Sequence, residues 1–152
     1  MTPDSEARAA GEGPKVVVGV DGSEPSLRAL GWAAHQAALM KIPLEVVTAW
    51  TFPEHPAPLD VPVHIDNLDS LIDEARVKLD EIVQRVIPAH ERAHVCAKVV
   101  RGDAAHVLLH EAEGAVLLVV GTRGRREMER LLLGSVSDRC ARQSHCPVTV
   151  VP

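Results

Sequence analysis

Aromatic side chains are nearly missing: Trp32, Trp50 and Phe52 are the only three, and there is no tyrosine. That scarcity argues against the stacking platforms that hold single-stranded nucleic acid. Cysteine is sparse as well. Cys96, Cys140 and Cys146 cannot all pair within one chain, and no CxxC spacing offers a zinc knuckle or a redox dithiol, so reduced thiols are expected. An excess of basic charge is also lacking. The net charge of −5 speaks against generic nucleic-acid binding, which needs a broad basic surface to displace counterions. The longest strongly apolar run is the short "AVLLVV" at 115–120, against the ~18–20 residues of a bilayer-spanning helix, so no membrane segment is expected. The opening "MTPDSEARAAGEGP" has neither the basic start nor the apolar centre of a secretory signal. Residues 1–14 therefore read as a disordered tail, and the protein as cytoplasmic.

What is present is the composition of an ordinary globular chain, with 46% apolar and 24% charged residues in 152. That length suits one core, assigned here to residues 15–152 as a single domain. "KVVVGV" at 15–20 is a continuous β-branched run, the pattern of a strand covered on both faces. Turn residues follow, with Ser23 placed to cap a helix and Pro25 in its first turn. Leu27, Leu30, Ala34, Ala37 and Ala38 then recur at helical spacing. "LEVVTAW" at 44–50 predicts a second strand. Residues 51–67 carry Pro53, Pro56, Pro58 and Pro62 and are expected to form a long loop, the usual form of a lid or binding segment. A helix is expected over 68–87, a strand over 94–100, and a short helix capped by Asp103 through about 112. "AVLLVV" is the fourth strand, 135–144 the last helix and 147–151 a closing strand. This β-α alternation implies a parallel sheet with right-handed crossovers and helices on both faces.

In such a sheet a ligand lies at the carboxyl ends of two neighbouring strands whose connections leave to opposite faces. The first and fourth strands, both continuously apolar, run into "GVDGSE" and "VGTRGR". If both loops address one ligand, the strand order is 3-2-1-4-5 and the site lies between Asp21 and Gly121. Gly121 and Gly124 would remove side chains where a loop passes a ligand. Gly134 and Ser135 open a helix whose first amides favour phosphate. Ser135 and Ser137 add hydroxyls, and Asp21 could accept from a ribose or hold a divalent cation near phosphates. Asp21-Gly22-Ser23 is equally a turn plus a helix cap. Residues 121–142 carry a net +3, so the remainder carries −8, a local basic patch suited to a small anion. Arg123–Glu127 and Arg125–Glu129 also have the spacing of ordinary surface ion pairs.

Gly121-x2-Gly124-x9-Gly134-Ser135, starting as a "VVG" strand ends, resembles the ATP-binding signature of the universal stress protein family. "VVVGVDGSEPS" and "GSVSDRCARQSHCPVTVV" resemble the family's termini, so the likeness covers about residues 15–151. The resemblance implies a Rossmann-like nucleotide-binding α/β fold, related to that of the adenine nucleotide α-hydrolases. It also implies ATP, with Mg2+, as ligand and a homodimer through the last strand. A role in stress regulation follows, through a protein partner the sequence does not identify. By the same resemblance Asp21 is the ribose or metal contact, with Gly19 and Val20 leading into it, and Ala49 is an adenine-pocket position. Val120, Gly121, Arg123 and Gly124 form the loop over sugar and phosphate, and Gly134, Ser135, Val136 and Ser137 the phosphate turn. Gly19 stands where some members carry proline. The final strand can also be read as an exposed edge open to self-pairing, although Pro147 and Pro152 flank it as guards would.

Chemistry on the nucleotide is less well supported. There is no GxxxxGK[ST], so the lysine that offsets charge on the outer phosphates in P-loop NTPases is lacking. No general base stands out beside Ser135, and at most weak ATP hydrolysis is expected. A slow ATPase or adenylyl-transferring enzyme on the same fold stays open, as does a nucleotide-free interaction module. "HVLLH" puts His106 and His110 on one helix face, but the Glu of HExxH and a third ligand are lacking, so no metal is assigned there.

Overall fold

The computed structural model describes residues 13–51, 68–122 and 133–152. Its strands are β1 Val16–Gly19, β2 Leu44–Trp50, β3 Val95–Arg101, β4 Leu117–Gly121 and β5 Val148–Val151. The described helices are α1 Glu24–Met40, α2 Leu68–Val86, α3 Ala104–Glu111 and α4 Ser135–Gln143. The strands form one parallel sheet of order β3-β2-β1-β4-β5, as the sequence predicts.

The all-apolar β1 lies in the middle because it is covered on both sides: Val16, Val17 and Val18 are fully buried. Val16, Val18, Val46 and Val119 face one apolar cluster with Leu30, Ala33 and Ala37 of α1 and Leu79 and Val83 of α2. Val17, Val47, Leu118 and Val120 face another with Val107 and Leu108 of α3 and Cys140 of α4. The chain thus leaves β1 through α1 on one face and β4 through α4 on the other. These two strands pair directly, so their carboxyl ends form the topological switch point where ligands bind in this architecture.

Several boundaries differ from the sequence-based expectation by a residue or two, as helix and strand ends commonly do. Between the helix expected to end at 87 and the strand expected from 94, Ala89–His94 form a 3-10 turn, and β3 starts one residue later, at Val95. In α1 the buried stripe is Ala29, Leu30, Ala33, Ala34 and Ala37. Ala38, expected inside, is exposed in the last turn, because α1 stays on its two strands through Ala29 and Ala33. The apolar face of α2 is buried in the described structure only at Leu79 and Val83, while Leu71 is 45% exposed. Most of the proline-rich loop expected at 51–67, and most of the tail expected at 1–14, lie outside the described residues.

Candidate functional site

β1 ends at Gly19, and the chain turns through Val20, Asp21 and Gly22 into α1. Ser23 caps α1, its hydroxyl accepting from the Ser26 amide at 3.4 Å. The Asp21 carboxylate accepts from the Ser23 amide at 2.9 Å and from the Ser23 hydroxyl at 2.5 Å. The turn-and-cap reading of Asp21-Gly22-Ser23 is therefore realised, and the exposed Asp21 side chain is held at the end of β1 by that turn.

β4 ends at Gly121, and there the close approach is to the protein itself. A Cβ on Gly121 would lie 2.8 Å from the carbonyl carbon of Pro25 and 2.9 Å from the Ser26 nitrogen. The glycine lets the first turn of α1 come down onto β4. Arg123 and Gly124, expected to follow over the sugar and phosphates, lie outside the described residues. The chain is described again just before α4, where the Gly134 amide donates to the Thr122 carbonyl at 2.5 Å. That bond brings the start of α4 back beside the end of β4. Gly134 is the N-cap and makes no side-chain cap hydrogen bond, and the one acidic residue of the first turn, Asp138, is paired with Arg142, so the positive end of the helix dipole is turned to the cleft that Gly134 lines.

The Ser137 hydroxyl, expected as a donor to a ligand, instead points its one proton at the carbonyls of Thr122 and Gly134, 3.0 and 3.1 Å away. Its residue is 2% exposed. The reason is geometric: a hydroxyl on the third residue of α4 lies next to the carbonyls that the β4 end and the N-cap leave over. Ser137 therefore shapes the turn.

Gly19, Val20, Asp21, Ala49, Val120, Gly121, Gly134, Val136 and Ser137 line one cleft at the carboxyl ends of β1 and β4. Ser135 stands exposed at the first position of α4 and is not part of the lining. Four further residues line the cleft without having been anticipated: Ser26, Val47, Ala104 and Leu108. Ser26 reaches it because its hydroxyl accepts from the Asp21 amide at 3.3 Å and donates to the Ser23 carbonyl at 2.9 Å. Ala104 and Leu108 reach it because α3 starts at the carboxyl end of β3 and crosses back over β2 and β1 to β4. The strand order implied that path, and the Asp103 cap marked its start. The apolar part of the cleft is thus on the β2 and α3 side, and the polar part at the β1 turn and the head of α4.

Basic charge near the cleft is partly neutralised among the described residues. Arg139 meets Asp103 at 2.8 Å and Arg142 meets Asp138 at 3.0 Å. Four of the six arginines of the basic segment, and the pairs Arg123–Glu127 and Arg125–Glu129, lie outside the described residues. Among the described residues no three His, Cys, Asp or Glu side chains gather as a metal would require. A cation at Asp21 would therefore depend on oxygens of a bound phosphate, as Mg2+ commonly does. No described helix is long and apolar enough to cross a membrane.

The pattern of the Universal stress protein family matches residues 14–152. A universal stress protein of Mycobacterium tuberculosis H37Rv is 37% identical over 139 residues, covering 90% of this chain and 46% of that protein. The chain spans about half the length of several such curated relatives. Another, from Bacillus subtilis 168, is 30% identical over 146 residues, covering 90% of this chain and 97% of that protein. Among solved structures, a universal stress protein in complex with cAMP is similar at 31% identity and a TM-score of 0.67, over 93% of this chain and 98% of that one. By this match along nearly its whole described length, the chain belongs to the universal stress protein family.

Proposed function

We propose that this protein is a stress-response regulator that binds an adenine nucleotide, ATP foremost, between β1 and β4, and that occupancy changes its association with a second copy or with a protein partner. The observation that carries the reading is the convergence on one cleft of the β1 turn at Asp21, the β4 end at Gly121 and the α4 head at Gly134. The same cleft offers Val47, Ala49 and Val120 as an apolar wall for a base. The uncapped start of α4 suits phosphate, and the spacing from Gly121 through Gly124 to Gly134-Ser135 agrees with the family's ATP-binding signature. That a similar universal stress protein was crystallised with cAMP supports an adenine ligand. Asp21 would meet the ribose or, with phosphate oxygens, Mg2+. For association the candidate is β5, an edge strand of the described sheet with a strand neighbour on one side alone.

The test is calorimetric titration of ATP, ADP and AMP with Mg2+ present, preceded by chromatography of anything released from the purified protein by heat. ATP is expected to bind. Asp21→Asn keeps an acceptor for the Ser23 turn but removes the charge, and should weaken Mg-ATP by about tenfold with little change in thermal midpoint. Sedimentation of the same samples with and without ATP reads the dimer, which should shift with occupancy. A protein that releases no nucleotide and takes up none would overturn the reading, and a monomer under all conditions would remove β5 pairing from it.

A further inference from the structure

We propose that Leu108 sets the depth of the cleft, and that position 19 is glycine to make room for Leu108; the inference rests on the cleft being the adenine-nucleotide site. A Cβ on Gly19 would lie 2.7 Å from Cδ1 and 3.1 Å from Cδ2 of Leu108, far inside ordinary carbon–carbon contact. Both residues line the cleft, and so does Ala104, one helical turn before Leu108. On α3 these two therefore share a face. Ala104 adds only a methyl group there, while the Leu108 isobutyl group lies against the end of β1.

Leu108 is 4% exposed and belongs to the cluster that includes Val17, Val47, Leu118 and Cys140. Close-packed neighbours of this kind yield little. A methyl group added at Gly19 therefore displaces the Leu108 methyls, and the space that Leu108 borders is the cleft it lines. The contact is with the far end of a rotatable side chain, so the fold survives the change while the cleft becomes shallower. Position 19 and position 108 then act as a pair that decides how far the flat ring of a nucleotide enters between β2 and α3.

Gly19 also lines the cleft, so a methyl there could instead meet the ligand directly. A double-mutant cycle separates the two. ATP with Mg2+ is titrated calorimetrically into the wild type, Gly19→Ala, Leu108→Ala and the double variant, each checked for cooperative thermal unfolding. Gly19→Ala should weaken ATP by about tenfold or more with Leu108 present, but by roughly threefold or less in the Leu108→Ala background. Equal weakening in both backgrounds, or none in either, would overturn the inference. Should Gly19→Ala fail to fold, Leu108→Phe fills the same space from α3 and should weaken ATP by about tenfold or more; wild-type affinity in that variant would also overturn it. A wild-type protein that binds no ATP would instead bring down the nucleotide reading itself.

Discussion

Gly19 and Gly121 close β1 and β4 and border the same cleft, yet a methyl group at each meets different matter. At Gly19 it meets the end of a leucine side chain, which can rotate. At Gly121 it meets backbone atoms of Pro25 and Ser26 at 2.8 and 2.9 Å. Those atoms are fixed by the N-terminal turn of α1, which the Ser23 cap and the Asp21 turn already hold. Gly121→Ala should therefore destabilise the fold by about 1–3 kcal/mol, the range for forcing a methyl group into close-packed structure. Urea unfolding followed by circular dichroism checks this, with a lower midpoint and an unchanged slope as the expected result. An unaltered midpoint would mean that α1 can lift off β4 at no cost. Two polar residues of the cleft lining, Ser137 and Asp21, show the same division of labour. Ser137 is turned to the carbonyls of Thr122 and Gly134, whereas Asp21 is exposed at the cleft. For the buried Cys140, burial pushes the thiol up to about 11, against the pull of Arg139. It is thus an apolar packing group of α4 rather than a nucleophile.

At the scale of elements, α3 and α4 form the wall of the cleft opposite the strand ends, and Asp103 joins them. Its carboxylate accepts from the His106 amide at 3.1 Å as the N-cap of α3, and from Arg139 of α4 at 2.8 Å. The ion pair is well exposed, with 45% and 62% of the two side chains accessible, so it contributes roughly 0.5 kcal/mol. The cap contributes about 1 kcal/mol. Asp103→Ala loses both, Arg139→Ala loses the pair alone, and Asp103→Asn keeps an N-cap acceptor while losing the charge. Denaturant midpoints should rank Asp103→Ala lowest and the other two together just below wild type; Arg139→Ala as the least stable of the three would refute this division. Caps such as Asp103 and Ser23 are legible in sequence because one side chain and one nearby amide make them. So are β1 and β4, whose unbroken apolar runs require burial on both faces. The part played by α3 was not legible from its own residues. "AAHVLLHE" has a core-facing periodicity whether or not a cleft lies above it, and only the path of the chain across the sheet brings Ala104 and Leu108 to the cleft. The 3-10 turn at Ala89–His94 was missed for a similar reason, since one short turn leaves no period to detect.

Across the whole molecule the parallel sheet is polarised. The carboxyl ends of β1 and β4 hold the cleft, whereas Lys15, just before β1, and Glu45, near the start of β2, carry charge that the strand patterns concealed. Glu45, read within the apolar run "LEVVTAW", is 8% exposed. It pairs with Lys15 at 2.7 Å and with Lys98 of β3, which in turn meets Glu111 of α3 at 2.5 Å. The sequence shows one carboxylate in a strand; its partners come from strands and a helix that only the fold brings together. Burial pushes the Glu45 carboxyl up, but hydrogen bonds involving Glu111, Lys15 and Lys98 outweigh that and hold it below its ordinary value. For Lys98, burial pushes the ammonium down, and Glu111 and Glu45 more than restore it, to above the usual range. The stability contributed by Glu45 is therefore complete above the unfolded carboxylate's range and is lost as pH falls through its lower folded value. That of Lys98 is complete below the unfolded lysine's range and is lost only as pH rises through its higher folded value. Between the two the network is fully charged and ties β1, β2, β3 and α3 together. Glu45→Gln should destabilise the protein near neutrality by about 2 kcal/mol, less than for a fully buried pair because Lys98 is 37% exposed. The difference from wild type should shrink steadily as pH is lowered from about 6 to about 3. Urea midpoints of both proteins across that range provide the measurement, and curves that stay parallel would show that Glu45 contributes no proton-linked stability. Lys15, Glu45, Lys98 and Glu111 are not among the residues that line the cleft, so the same variant should keep wild-type affinity for the proposed nucleotide at neutral pH, and loss of stability and loss of ligand are read as separate events in one molecule.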